Sequence, residues 1–285
     1  FSPSDLCALM LRPLIGHFNE YYGEVSGESI AIPYNLGDEA RLEILRAATL
    51  AGVYKPDLIN DNTAEALYLL NTHKLKKGKY LLVSLRAGTA DVTIFEVERK
   101  SLSIAHVSGI QQLGLKDLTR CMSGIVSEKI AQKVGTKVTR DDLLMEYCIG
   151  DYSLNNIILG LGTQNIFKYI ASGLESGRTE IEITRDEFRN RIASLTQQLE
   201  YLIESALEKA GVLRQDLNGC FLSTSEIDRS FWAPCISSAL GMQPLATPKG
   251  SVAMGAALYA ANKAQDDDLP IMGFDELKSV KVQDV

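Results

Sequence analysis

The stretch Ser84-Leu85-Arg86-Ala87-Gly88-Thr89-Ala90-Asp91 decides how this chain folds. It joins two apolar runs through a short turn at 86–89. The run before it, 80–85, is apolar on both faces through Leu81, Leu82 and Val83, as a central strand requires. The run after it, 91–97, and a third at 102–108 complete a meander of three strands.

On the N-terminal side, Ser2-Pro3-Ser4-Asp5 caps a helix, with an acidic residue where the helix dipole favours one. Leu6, Met10, Leu14 and Phe18 recur every fourth residue and share a face, while Pro13 predicts a kink or an early end. A strand at 29–32 stops at Pro33. A helix then starts at Gly37-Asp38, with Ala40, Ile44, Ala47, Ala48 and Ala51 on one face and Gly52 closing it. A strand at 57–59 runs through Asn60-Asp61-Asn62-Thr63 into a helix over 64–71, and the lysine-rich 73–79 reads as a solvated connector. This alternation is of mixed α/β type.

On the C-terminal side, 115–173 reads mostly as helices, followed by a strand at 179–183. Thr184-Arg185-Asp186-Glu187 has the form of a capping box. It opens one helix of about 26 residues, or about 39 Å, with Phe188, Ile192, Leu195, Leu199, Leu202, Ile203 and Ala206 as its stripe and Gly211 at its end. A strand at 220–223, a turn at 224–228 and a helix through Phe231, Trp232, Ile236 and Leu240 follow. The 250–261 segment is an Ala- and Gly-rich helix with Gly255 and Ala256 placed for close packing. The alternating valines near the end suit a short edge strand or a linker.

The bulk numbers narrow the function. The chain has 285 residues, 46% of them apolar, and a net charge of −7. That suits a two-lobed unit or two packed domains and gives no basic face for nucleic acid. Five widely spaced cysteines and three scattered histidines form neither a disulfide framework nor a zinc pattern and suit a reducing, cytoplasmic compartment. No apolar run approaches the roughly 20 residues of a membrane span, and no signal peptide is recognisable. The opening Phe1 reads as the start of an excerpt.

Taken together, several stretches resemble the DnaK-type heat-shock chaperone family, part of the actin and sugar-kinase ATPase superfold, as a divergent member. Ile30-Ala31-Ile32-Pro33-Tyr34 resembles the family's Val-Thr-Val-Pro-Ala-Tyr. Leu58-Ile59-Asn60-Asp61-Asn62-Thr63-Ala64 resembles Ile-Ile-Asn-Glu-Pro-Thr-Ala. Ser84 to Asp91 falls on Asp-Leu-Gly-Gly-Gly-Thr-Phe-Asp, and Thr247 to Ala257 on Asn-Pro-Asp-Glu-Ala-Val-Ala-Tyr-Gly-Ala-Ala. Phe1 to Ser4 matches a helix start in the first lobe, and Val282 to Val285 the end of the linker to a peptide-binding domain. The resemblance implies a ribonuclease-H-like, actin-type ATPase fold. It divides the chain into an incomplete first lobe (1–75), a complete second lobe (76–265, with a peripheral subdomain at 116–192) and a linker (266–285).

The family binds ATP or ADP with Mg²⁺, using glycine-rich turns for the phosphates and carboxylates for the hydrated metal. Ser84 stands where the family has a metal-facing Asp. Arg86 and Ala87 replace two glycines, while Gly88, Thr89 and Asp91 survive. Asp61, one methylene shorter than the family's Glu, and Asp91 are the remnant catalytic residues; no residue is assigned to metal. Ser223 and Thr224 replace the glycines of a further nucleotide-facing turn, and Lys168 and Ser172 match the family's adenosine-binding helix. A tight hairpin turn accounts for Gly88 and Thr89 as well as phosphate contact does. Gly255 reads as helix packing. Arg86 could bind phosphate in place of metal charge or fill the cleft by pairing with Asp61 or Asp91. Pro33 and Arg41 match positions that relay nucleotide state to the linker, and read equally as a strand terminator and an exposed helix residue.

The resemblance thus implies a regulatory or co-chaperone-like domain in protein folding that binds nucleotide weakly or not at all. The alternative is an active ATP-hydrolysing chaperone ATPase domain. The implied partners are other chaperones, J-domain co-chaperones, nucleotide-exchange factors and the ribosome.

Overall fold

The computed structural model describes residues 2–23, 28–98, 101–175, 177–265 and 279–281. Most of the expected linker, including Val282 to Val285, lies outside them. The chain divides into two units, one formed by 1–80, 94–105 and 248–285, the other by 81–93 and 106–247. The 248–265 segment, inside the expected 76–265 lobe, groups with the first unit.

In the first unit, α1 (Pro3–Tyr22) starts from a complete capping box in which Ser2 and Asp5 satisfy each other's backbone N–H groups. It runs on through Pro13, which is exposed, so the carbonyl that loses its donor there is open to solvation. The expected apolar stripe is not what packs. Leu6, Met10, Leu14 and Phe18 are 54, 73, 67 and 45% exposed, while Ser4 and Ala8 are buried. The helix meets α2 (Asp38–Ala51) partly through polar contacts, Ser4 with Glu43 and Arg12 with the Leu50 carbonyl at 2.9 Å. Gly37 precedes α2, and Gly52 closes it in the left-handed conformation expected of a C-terminal glycine.

Two parallel strands follow, β1 (Ser29–Ile32) and β2 (Asp57–Asn60), with Ser29 opposite Asp57 and Ile32 opposite Asn60. The next helix, α3 (Asp61–His73), begins three residues earlier than its apolar periodicity suggests, because Asn60 takes the N-cap position. Against α3 packs α10 (Ser251–Gln265). Their approach is so close that a Cβ on Gly255 would stand 1.7 Å from the Ala64 carbonyl oxygen. Glu65 of α3 is fully buried and accepts a 2.6 Å hydrogen bond from Ser251 at the start of α10, an end where the helix dipole favours a carboxylate.

The meander is present as β3 (Gly78–Leu85), β4 (Thr89–Val97) and β5 (Ser101–Gln111). With β8 (Leu217–Ser223), β9 (Leu245–Ala246) and β10 (Ser279–Lys281) these form a mixed six-stranded sheet of order β10-β5-β4-β3-β8-β9. The edge strand expected from the alternating valines is β10, antiparallel to β5 with Val280 opposite Leu102.

In the second unit, α4 (Leu115–Val134), α5 (Arg140–Met145) and α6 (Asp151–Thr163) precede a hairpin of β6 (Ile166–Gly173) and β7 (Gly177–Thr184). The first hairpin strand lies inside the stretch read mostly as helices. Gln164 turns extended after α6, and the β-branched and aromatic Ile166, Phe167, Tyr169 and Ile170 then favour a strand. The long helix expected after Thr184 is two helices, α7 (Arg185–Arg191) and α8 (Ala193–Ala210), bent at Ile192. Phe188 packs edge-on against Phe231 with centroids 4.9 Å apart, and the bend leaves Phe188, Ile192, Leu199, Leu202, Ile203 and Ala206 all buried. Only half of the expected capping box forms. Thr184 accepts the Glu187 N–H, while the Glu187 carboxylate pairs with Lys129 at 3.1 Å. The last helix of this unit is α9 (Arg229–Leu240). All five cysteines are free thiols.

Candidate functional site

The turn that links β3 and β4 is closed by the Arg86 N–H donating to the Thr89 carbonyl at 2.9 Å. Its own carbonyls are held from one side. Arg86 O accepts from Leu115 N–H (3.1 Å), Ala87 O from Lys116 N–H (2.7 Å) and Gly88 O from Gln112 N–H (2.9 Å). The first turn of α4 thereby satisfies donors that a helix start leaves without partners. Such proximity demands a glycine at 114: a Cβ there would lie 2.3 Å from Arg86 O and 2.9 Å from Gly88 N. Sequence reasoning missed this residue, since the glycine is marked only by atoms some 27 positions away in the chain.

Gly88 is the opposite case. Its φ is not in the positive range, and a Cβ on it would meet nothing within 4 Å. Neither hairpin conformation nor packing requires glycine there, which corrects the tight-turn account of this residue. Ser84, at the end of β3, is 1% exposed, and its hydroxyl has no hydrogen-bond partner among the described residues. Arg86, Thr89 and Asp91 are half-buried.

The turn after β8 carries a group the sequence did not single out. Asp228 is buried, and one carboxylate oxygen accepts from Thr224 Oγ1 and Ser225 Oγ, both at 2.9 Å. The other accepts from the indole Nε1 of fully buried Trp232 at 3.1 Å. Thr224, expected to face a nucleotide, spends its hydroxyl on Asp228. The recognisable signal is an Asp with hydroxyls three and four residues before it and an indole four after. Burial raises the Asp228 pKa, against the lowering effect of the three hydrogen bonds. A raised carboxyl pKa means the native state holds its proton more tightly than the unfolded chain. The favourable contribution is present below the unfolded value and is lost as pH rises through the folded one. Asp228→Asn leaves a single acceptor oxygen for the two hydroxyls and the Trp232 N–H, so a loss of about 1–3 kcal/mol is expected at acidic pH. The gap to the wild type narrows as pH rises to neutrality. Urea denaturation of both proteins across that range checks it; a gap that widens with pH contradicts the assignment.

Lys168 and Ser172 are not on a helix. Both occupy the exposed face of β6, opposite Glu182 and Arg178 of β7. Lys168 Nζ lies 2.8 Å from Glu182 and 3.9 Å from Glu180; the Glu182 hydrogen bond raises the lysine pKa and lowers that of Glu182. The helix preceding them, α6, ends against α9: a Cβ on Gly162 would stand 2.6 Å from Ser230 Oγ.

The remaining expected residues lie in the first unit. Asp61 is the first residue of α3, buried, with one carboxylate oxygen accepting the Asn62 N–H at 2.8 Å. Pro33 is exposed and follows the last residue of β1. Arg41 is not the exposed helix residue expected: it is 4% exposed. Its guanidinium donates to the carbonyls of Leu36 (2.8 Å) and Tyr34 (2.9 Å) and to Asn60 Oδ1 (2.8 Å). It therefore ties the β1–α2 loop to the end of β2, one residue before Asp61. Sequence reasoning could not see this, because an arginine on a helix is ordinarily solvated.

At the foot of the turn buried Ser84 offers a neutral hydroxyl, whereas a hydrated Mg²⁺ wants carboxylates. Among the described residues no group of three or more His, Cys, Asp or Glu is placed to hold a metal ion, and no helix is long and apolar enough to cross a membrane.

Residues 1–270 match the family model described as Hsp70 protein. The chain is 28% identical over 272 residues to chaperone protein dnaK3 of Thermosynechococcus vestitus, an alignment covering 93% of this chain and 40% of that protein. It is 27% identical over 273 residues to chaperone protein DnaK of Thermosipho melanesiensis, covering 94% and 46%. A third, chaperone protein DnaK of Nitrosopumilus maritimus, is 24% identical over 273 residues, covering 93% and 43%. The chain thus spans less than half the length of these relatives.

Proposed function

The chain belongs to the Hsp70 family, whose ATPase domain has the actin-like fold, and on that premise we propose that it is a chaperone nucleotide-binding domain whose phosphate and metal site is degenerate. In this reading it serves as a regulatory or co-chaperone-like partner in protein folding, with weak or no ATP hydrolysis. Its partners are other chaperones, J-domain co-chaperones and nucleotide-exchange factors, and it acts in the cytoplasm, in part on the ribosome.

The observation that carries the reading is Ser84. At the position where the family resemblance calls for a metal-facing carboxylate, a neutral hydroxyl is buried at the end of β3. A divalent ion that bridges phosphates supplies several kcal/mol of charge stabilisation, and a hydroxyl cannot hold its water shell as a carboxylate does. Two further features point the same way. The shorter carboxylate of Asp61 is engaged by its own helix, and the hydroxyls of Thr224 and Ser225 are turned inward to Asp228.

Phosphate release from Mg-ATP by this chain, measured beside a DnaK relative, tests the proposal. The rate is expected to be about 100-fold lower or less, the scale set by misplacing a reacting group by about 1 Å. Turnover within about tenfold of DnaK would instead favour an active chaperone ATPase.

A further inference from the structure

In the second unit, β6 and β7 form a sheet of two strands only, so β7 has a side that no other strand pairs with among the described residues. A groove of about 440 Å³ runs along it, lined by Lys129, Gln132 and Lys133 of α4 and by Glu180, Ile181 and Glu182 of β7. Successive side chains of a strand point to opposite faces. A groove that touches three in a row, and no residue of β6, therefore follows the free edge of β7 and not one of its faces.

The backbone along that edge is open. The Arg185 N–H donates to the Asn165 carbonyl at 2.8 Å, one step beyond the Ile166–Thr184 pair that ends the ladder. Bonded and non-bonded pairs alternate in an antiparallel ladder. Arg178, Glu180, Glu182 and Thr184 therefore turn their N–H and C=O groups away from β6 and into the groove side. A row of unpaired backbone groups is a template for a further strand.

The side chains define what that strand carries. Ile181 and Ile183 are buried, which puts them on the face that α4 covers, and Glu180 and Glu182 on the outer face. On the α4 side the groove presents Lys129, already paired with Glu187 at 3.1 Å, and exposed Lys133, which is in no ion pair among the described residues. On the outer face Lys168 sits 2.8 Å from Glu182 and 3.9 Å from Glu180, so Glu180 is the less neutralised of the two. We infer that the free edge of β7 takes an extended peptide segment of alternating charge as a third strand. Its acidic side chains meet Lys133 of α4, and its basic side chains meet Glu180. Cross-strand pairs of opposite charge favour that pattern, and like charges directly opposite disfavour the reverse.

Fluorescence anisotropy on the full chain with fluorescein-labelled Thr-Lys-Glu-Lys-Glu-Lys-Val is the test. A dissociation constant on the order of 100 μM or below is expected, with the block-charge isomer Thr-Lys-Lys-Lys-Glu-Glu-Val about fivefold weaker. Lys133→Glu, on the exposed side of α4, is expected to weaken binding of the alternating peptide about fivefold. Glu180→Pro removes an N–H that β6 does not use and that an edge strand can spare. It is expected to weaken binding about tenfold, whereas Glu180→Gln, which keeps the N–H, costs less than about threefold. Hydrogen exchange of the unmodified chain supplies a readout that needs no variant to fold: the peptide slows the amides of Glu180 and Glu182. No binding at 1 mM peptide (a dissociation constant well above about 1 mM), equal affinity for the two isomers, or unchanged exchange at both amides would each overturn the inference.

Discussion

Alanine in place of Gly255 is expected to destabilise the first unit by about 3 kcal/mol or more. The added Cβ would stand 1.7 Å from the Ala64 carbonyl oxygen, 2.4 Å from its carbon and 3.1 Å from its Cα. All three are backbone atoms in the first turn of α3, so no rotamer change relieves the clash and α10 must lift off as a whole. Lifting it also strains the buried pair of Glu65 and Ser251, whose carboxylate is costly to leave without its partner. A fall in the urea midpoint with unchanged slope measures the effect, and a loss below about 1 kcal/mol would show that α10 is free to shift. Gly16→Ala is the matched control. It lies inside α1 with nothing within 4 Å of its would-be Cβ, so alanine is expected to stabilise by about 0.5–1 kcal/mol through helix propensity.

The second large effect is expected at Arg41. Methionine keeps the length of the side chain but removes every donor, which leaves the carbonyls of Tyr34 and Leu36 and the side-chain oxygen of Asn60 without their guanidinium. Buried acceptors stripped of partners cost about 1–3 kcal/mol each. Water reaching the loop offsets part of that, so a net loss of about 3 kcal/mol is expected for Arg41→Met. Arg41→Lys recovers part of it, because an ammonium cannot span three acceptors in the fixed plane of the fork. Urea denaturation of both variants reads the result. An Arg41→Met protein within about 0.5 kcal/mol of the wild type would place Arg41 among ordinary surface arginines.

Both residues bear on what the sequence could reveal. The β3–β4 hairpin was legible because its signals are local: an apolar run, a short turn, another apolar run. The start of α2 at Gly37-Asp38 and the close packing of Gly255 were legible for the same kind of reason. Arg41 was not, because its burial depends on acceptors supplied by the Tyr34–Leu36 loop and by Asn60, which are joined to it only in the folded state. The α1 stripe misled in the opposite direction: a spacing of four marks a common face, but it does not say that the face is covered. At the site, Ser84 and Arg86 could be read as departures from a family pattern, yet the inward turn of Thr224 needed Asp228 and Trp232 in place. Lys168 and Ser172 failed because a match in letters was laid on a helix that had already ended at Thr163.

The three hydrogen bonds from 112–116 to the β3–β4 turn give α4 a mechanical meaning. The helix has 20 residues, a rod about 30 Å long. Its first turn carries the β3–β4 turn, and further along it Lys129 meets Glu187 of α7 while the helix packs on β7. One continuous helix thus braces both the turn and the β6–β7 hairpin edge of the same unit.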